Sequence, residues 1–271
     1  MNKSLEKNYN CYFSTGYYRA RYPRVNQHTL SIVTQAMSGL TSHEPLAIKK
    51  ILDYGCGEGR YILHCLSAYP NAHISAYDIS SAPLKKLATS LASNGQDSRV
   101  SLIHGQQALD QYISGTKNGT YSLALLLFGV LSHVSTAHER QSLLAFLRQQ
   151  LDQEHGRLVL SVPNKARRFR ALQRNTQRCD ISYSRTINQQ TVTFTYHLYS
   201  VKSITAELAE AGLDIVSIQA ESVLPESWIT KHPIVGWLDK CISRMIPPSW
   251  GYGILVSARP TAIAHRNAKK L

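Results

Sequence analysis

The chain has 271 residues, 43% of them hydrophobic, and its 30 Lys+Arg against 17 Asp+Glu leave a formal net charge of +13. That length suits one large domain, or one domain with a sizeable insertion, and the hydrophobic fraction excludes a disordered chain. The longest strongly apolar run, Leu123 to Leu131, is too short to cross a bilayer, and the N-terminus has no apolar segment of the secretory kind. Five cysteines (Cys11, Cys56, Cys65, Cys179 and Cys241) form no C-x-x-C pair. A disulfide framework, a zinc knuckle or another metal site is therefore not expected, and the reducing cytoplasm is the expected compartment. The charge is unevenly placed. Residues 1–50 carry +5, residues 51–163 are neutral, residues 164–200 carry +6 and residues 201–271 carry +2.

In chain order, an N-terminal arm (residues 1–44) precedes a region in which strand and helix signals alternate. Ile51 to Tyr54 predicts a first strand, followed by a glycine turn and a helix with Tyr61, Ile62, Cys65 and Leu66 at helical spacing, ended by Pro70-Asn71. His73 to Asp78 predicts a second strand, then a Ser80-Ser81 cap and a helix running to about Leu91. Val100 to Ile103 and Tyr121 to Phe128 predict a third and a fourth strand. Thr136 to Leu151 reads as an amphipathic helix with Leu143, Leu144, Phe146, Leu147 and Leu151 on one face, and Arg157 to Val162 as a fifth strand. Such alternation implies an α/β fold, a doubly wound and mostly parallel sheet covered on both faces.

From Asn164 the pattern changes. A basic stretch runs to Arg178, and two segments of period two, Ile181 to Arg185 and Val192 to Tyr196, flank Asn188-Gln189-Gln190 and predict an inserted β-hairpin. Val201 to Ala211 predicts a helix, Leu213 to Ile218 and Gly253 to Ala258 the last strands, and residues 227–246 a helical crossover between them. The final ten residues read as a loose tail.

The informative string is Asp53-Tyr54-Gly55-Cys56-Gly57-Glu58-Gly59-Arg60, at a strand–turn–helix junction. Glycines at alternate positions let the backbone turn sharply and approach a ligand, and in a doubly wound sheet that junction lies where ligands bind. The spacing is G-x-G-x-G, not the dinucleotide fingerprint, so an oxidoreductase is disfavoured. Asp53, two residues before the first glycine, suits a cationic amino group, and Asp78, at the end of the second strand, suits ribose hydroxyls. One carboxylate for an ammonium and one for a ribose is the recognition chemistry of S-adenosylmethionine.

With A-Y-D-I-S at 76–80, F-G-V-L-S-H-V at 128–134 and G-R-L-V-L-S-V-P-N at 156–164, the stretch from about 45 to 165 resembles the class I S-adenosylmethionine-dependent methyltransferases of the type 11/25 kind. The resemblance implies a seven-stranded Rossmann-like sheet over residues 45–271, with residues 164–200 inserted as a basic hairpin lid facing the substrate. It also implies that Gly55, Gly57 and Gly59 line the cofactor, that Asp53 and Asp78 hold its amino group and ribose, and that Phe128 belongs to the cofactor site. Where the family often has Gly-Asp after the third strand this chain has Gly105-Gln106, so Gln106 would meet adenine through its amide oxygen. Where Phe-Asp often opens the fourth strand, it has Tyr121-Ser122.

Several roles stay open. His133 is either a general base near neutral pH or a loop-stabilising residue, and His197 either part of the lid or a hairpin-to-helix joint. Tyr17, Arg21 and Tyr22 either touch cofactor or substrate or form a solvated arm. Arg167 and Arg168, in the cluster from Lys165 to Arg170, read as an anion-facing lid, with Tyr196 alongside. Three functions compete: methyl transfer to an anionic small molecule; methyl transfer to RNA, supported by the charge and by a short similarity of Tyr196-His197-Leu198-Tyr199 to the tRNA wobble-uridine carboxymethyl methyltransferases; and a non-catalytic module on the same fold that senses the cofactor or binds RNA.

Overall fold

Near-continuous apolar strands must be covered on both faces, and that requirement organises the molecule. The computed structural model describes residues 3–36, 49–115, 120–176, 179–187 and 189–262. The expected boundary at 44/45, Arg178, Asn188 and residues 263–271 of the tail lie outside them. The strands are β1 (Lys50–Tyr54), β2 (His73–Asp78), β3 (Val100–His104), β4 (Leu123–Leu126), β5 (Arg157–Pro163), β6 (Asp180–Ile187), β7 (Gln190–His197), β8 (Leu213–Ser222) and β9 (Gly253–Pro260). Seven form one sheet in the order β3-β2-β1-β4-β5-β9-β8, while β6 and β7 form a separate antiparallel pair. Pairings from β3 through β5 are parallel, and β9 runs antiparallel between β5 and β8. The strand order reverses between β1 and β4, so the loops after those two strands open a crevice at their carboxyl ends.

The helices are α1 (Lys3–Ser14), α2 (Tyr17–Arg21), α3 (Gln27–Gln35), α4 (Ile62–Ala68), α5 (Ser81–Ser93), α6 (Gly105–Ser114), α7 (Ala137–Gln150), α8 (Arg170–Thr176), α9 (Val201–Glu210), α10 (Glu226–Ile229) and α11 (Pro233–Ser243). Val33, Ile62, Cys65, Leu84, Leu87 and Leu91 from α3, α4 and α5 pack against one face of the sheet. Leu143, Leu144 and Leu147 of α7, with Ile204 and Leu208 of α9, cover the other. Each such leucine contributes roughly 1.5–3 kcal/mol by leaving water. Thr136 and Glu139 form a capping box that starts α7, with Oγ1 of Thr136 accepting from the Glu139 N–H at 3.1 Å.

Two expectations change. The fourth strand is confined to Leu123–Leu126, because Phe128 takes a left-handed backbone (φ 61°) and Tyr121 makes only an isolated bridge to Leu151. The Ser80 side chain does not cap α5. Asn10 of α1 does, its Oδ1 accepting from the Ala82 N–H at 3.0 Å and the Ser80 hydroxyl at 2.7 Å. Helices α1 and α6 have no counterpart among the predicted elements. α1 is held by Tyr12 and Phe13, which are buried with Tyr18 against Ile187, Val192 and Phe194 of the hairpin.

Candidate functional site

The turn after β1 is tight enough to need its glycines. Gly55, Gly57 and Gly59 all have positive φ (77°, 55° and 71°), and a Cβ on Gly55 would lie 2.6 Å from Val130. Gly57 donates its N–H to Oδ2 of Asp78 at 2.8 Å, and the Ser80 N–H donates to Oδ1 at 2.8 Å, so Asp78 locks the first turn to the second strand. α1 lies over this loop: Lys86 donates to the Phe13 carbonyl and, at 2.8 Å, to Glu58, and the Phe13 ring sits against Gly57.

The loops after β1, β2 and β4, the N-terminal helices, the hairpin and the β8–α10 connection enclose a cavity of about 380 Å³. Asp53, Gly55, Gly57, Asp78, Phe128 and His133 line it from the sheet side, Arg21 and Tyr22 from the N-terminal side, and Arg168 and Tyr196 from the insertion. Burial, and then Asp78 beside it, raises the Asp53 carboxyl from 3.8 to about 7, and burial raises Asp78 to about 6. No described cation pairs with Asp53. A buried, uncompensated carboxylate fits a ligand's ammonium group, and the glycine turn beside it fits a ligand lying close to backbone.

Other expected residues stand elsewhere. His197 is not in the cavity. The alternation of β7 turns Val192, Phe194 and Tyr196 inward and His197 outward, where Nδ1 pairs with Asp180 at 2.6 Å. Arg167 is exposed and donates to the Trp250 carbonyl at 3.0 Å. Tyr17 is outside the lining, its hydroxyl accepting from Arg21 at 3.3 Å. Gln106 is exposed at the surface, with Tyr77 donating to its amide oxygen at 3.3 Å and Asp110 accepting from its nitrogen at 2.8 Å. Gly59 serves packing, since a Cβ there would strike Leu87.

His133 lines the cavity but does not titrate near neutrality. Burial pushes its conjugate acid down to about 3, so the ring is neutral. It lies edge-on to Tyr9 (centroids 5.4 Å apart) and Tyr196 (4.5 Å). The Thr195 carbonyl accepts from the ring, while Nδ1 is buried without a partner.

Four charged residues of the cavity have no role in the sequence reading: Arg60, Arg185, Glu221 and Glu226. Arg60 pairs with Glu226 at 3.3 Å and lies over the Phe128 ring at 4.8 Å, inside a cage that includes Tyr18, Tyr22 and Tyr61. Burial, then Glu226 beside it, raises the Glu221 carboxyl well above its ordinary value. Arg168 lies over Tyr252 at 4.8 Å and Tyr196 at 5.6 Å, with no carboxylate within ion-pair distance among the described residues and with Nε buried and unpartnered. The parity of β6 could have revealed Arg185, which shares the inward face with Tyr183. Glu221 and Glu226 arrive from more than 160 residues beyond the glycine turn, and no local pattern announces them.

The family model described as a methyltransferase domain matches residues 27–218. No curated protein sequence matches. Among solved structures, the chain is similar to the CcbJ methyltransferase from Streptomyces caelestis, with TM-score 0.61 and 12% identity over 94% of this chain and 99% of that one. It is similar to an S-adenosylmethionine-dependent methyltransferase from Clostridium acetobutylicum, with TM-score 0.60 and 13% identity over 93% and 100%. The DhpI–SAM–HEP complex aligns with TM-score 0.57 and 14% identity over 96% and 100%. Among the described residues no helix is long and apolar enough to cross a membrane, and no His/Cys/Asp/Glu group could hold a metal ion.

Proposed function

We propose, from the premise that this chain belongs to the methyltransferase-domain family and is an S-adenosylmethionine-dependent methyltransferase, that its acceptor is an anionic small molecule with an aromatic or apolar body. The observation that carries this reading is Arg168, a guanidinium facing the cavity with Nε buried and unpartnered and with no carboxylate in contact, though Glu221 attracts it from farther off. A buried guanidinium short of hydrogen-bond partners is costly, and an anionic ligand that forks onto it reduces that cost. Tyr196, Tyr252 and Phe169 around it offer faces on which a planar or apolar group stacks.

When bound, S-adenosylmethionine would supply a sulfonium methyl group for in-line displacement by the acceptor's lone pair, the S–CH3 bond breaking as S-adenosylhomocysteine leaves. In this reading Asp53 holds the cofactor's amino group, Asp78 its ribose hydroxyls, and the glycine turn permits close approach. The described part of the N-terminal arm, residues 3–36, caps the cofactor, and the described residues of the insertion form the lid over the acceptor. The neutral His133 ring accepts a hydrogen bond at Nδ1 from an acceptor hydroxyl or amine and so orients it, while a carboxylate acceptor needs no such help. The enzyme's work is then alignment and exclusion of water.

Of the insertion's cations, Arg168 and Arg185 face the cavity, which favours a small acceptor. Arg167, Arg170 and Arg174 are exposed, and an exposed cationic track is what phosphate-backbone binding uses, so RNA is assayed in parallel. The test is methyl transfer from labelled cofactor to fractionated anionic small molecules and to total tRNA in parallel, followed by Arg168→Ala. The variant should raise the acceptor KM about 10- to 100-fold, as loss of a charge-assisted hydrogen bond does, and leave cofactor affinity by calorimetry within about twofold. Labelling of tRNA alone, or an unchanged KM, refutes the reading.

A further inference from the structure

Helix α11 is built inside out. Its inward residues are Gly236, Asp239 and Ser243, none of them a large apolar group. Asp239 Oδ1 accepts from the Val223 N–H at 3.0 Å and the Leu224 N–H at 2.9 Å, and Ser243 donates to Oδ2 at 3.3 Å. The helix is therefore anchored by polar contacts, and its apolar residues face water. Ile234 is 76% exposed, Trp237 61%, Leu238 47%, Ile242 47% and Met245, just past the helix end, 84%. Steps of three and four residues place these five on one stripe. Trp228 and Trp250 are exposed at either end of the same segment, so residues 228–250 hold seven of the ten exposed large hydrophobics among the described residues. Single exposed apolar residues need no explanation, but a continuous stripe does.

The charges around the stripe select its occupant. Lys231 and Arg244 are exposed beside it and Lys240 is half-buried, while Asp239, the helix's acidic residue, is turned inward. The elements packed on α11 are α3, α10 and β8. α3 has no acidic residue, Glu226 of α10 is held by Arg60, Glu221 of β8 lines the cavity, and Asp214 sits at the far end of β8 bonded to Thr261. The exposed rim is thus cationic, on a chain of net charge +13. A short helix with an outward apolar stripe, tryptophans at its flanks and basic residues at its edge has the make-up of an interfacial helix, which beds its apolar face in the headgroup region while the basic residues meet anionic lipid. We infer that residues 228–250 dock this enzyme on an anionic bilayer surface, without spanning it. The same α10 that carries Trp228 outward lines the cavity with Glu226 and Ser227, so docking sets the site's rim near the lipid.

The test uses the full chain and vesicles of phosphatidylcholine with or without about one third phosphatidylglycerol. All three tryptophans, Trp228, Trp237 and Trp250, lie in the proposed docking segment and report on it directly. Expected is co-sedimentation with the anionic vesicles, at least tenfold stronger than with phosphatidylcholine alone, weakened by salt, and accompanied by a blue shift of tryptophan emission. The double variant Trp237→Glu, Ile242→Glu alters exposed side chains only. It should lose at least tenfold in partitioning while its melting temperature and cofactor affinity stay unchanged. Absence of binding to anionic vesicles, or retention by the variant, overturns the inference. So does a dimer in sedimentation velocity that the same variant dissociates, since a second copy would then cover the stripe. The readouts are independent of methyl transfer, so failure here leaves the proposed acceptor chemistry standing.

Discussion

Asp53→Asn should make the ligand-free protein more stable while weakening its hold on S-adenosylmethionine. Burial, with Asp78 nearby, raises the Asp53 carboxyl from 3.8 to about 7. Between those two values the folded chain holds a proton that the unfolded chain has released, so stability falls as pH rises across that window and the full penalty is present above about pH 7. At about 1.36 kcal/mol per pH unit, a displacement of roughly three pH units corresponds to about 4 kcal/mol, an order-of-magnitude ceiling. A buried asparagine amide left short of partners returns roughly 1–3 kcal/mol of that gain. The net gain at about pH 8.5 is then roughly 1–3 kcal/mol, which moves the melting temperature up by roughly 2–10 °C for a chain of this size. At about pH 5.5 only about half the ionisation penalty exists, so the advantage of the variant shrinks there. Melting curves of both proteins at the two pH values, with and without cofactor, check this. In saturating cofactor the order should reverse, because only the carboxylate gains an ammonium partner. Wild type melting higher at pH 8.5 without ligand, or a difference that does not change with pH, would refute the reasoning.

Asp78→Ala removes the acceptor of both the Gly57 and Ser80 N–H groups as well as the proposed ribose partner, and titration calorimetry should show at least about a tenfold loss of cofactor affinity. Gly129→Ala places a methyl group at φ 76° and against the Tyr196 hydroxyl, so it should cost about 1–3 kcal/mol and accelerate hydrogen exchange in β7, measured by mass spectrometry. Glu207→Gln unpairs the buried Arg140, which donates from Nε and Nη2 at 3.1 Å each, and also alters the acceptor of the Tyr199 hydroxyl. Denaturant unfolding should fall by about 3 kcal/mol.

Much of this protein is legible without coordinates, because its signals are local. Strand positions, the α7 stripe, the glycine turn, the parity of the hairpin and the two carboxylates Asp53 and Asp78 all follow from spacing within a dozen or so residues, and local geometry is what such spacing encodes. The sheet's parallel order follows almost as directly from the alternation of elements. What only the tertiary structure decided are matters of separation and solvent. The cap of α5 comes from Asn10, some seventy residues upstream, where a Ser80 hydroxyl stood ready in the sequence. His133 and His197 look alike as letters. Desolvation among aromatic rings keeps the first neutral inside the cavity, and strand parity puts the second outside it beside Asp180. Arg167 and Arg168 are neighbours in the chain, yet one is tied to a surface carbonyl and the other faces the cavity with its Nε unpartnered. The +13 is likewise a property of composition. Which of those charges meet water, which a ligand and which a surface depends on contacts between distant segments, and burial is a property of the folded whole.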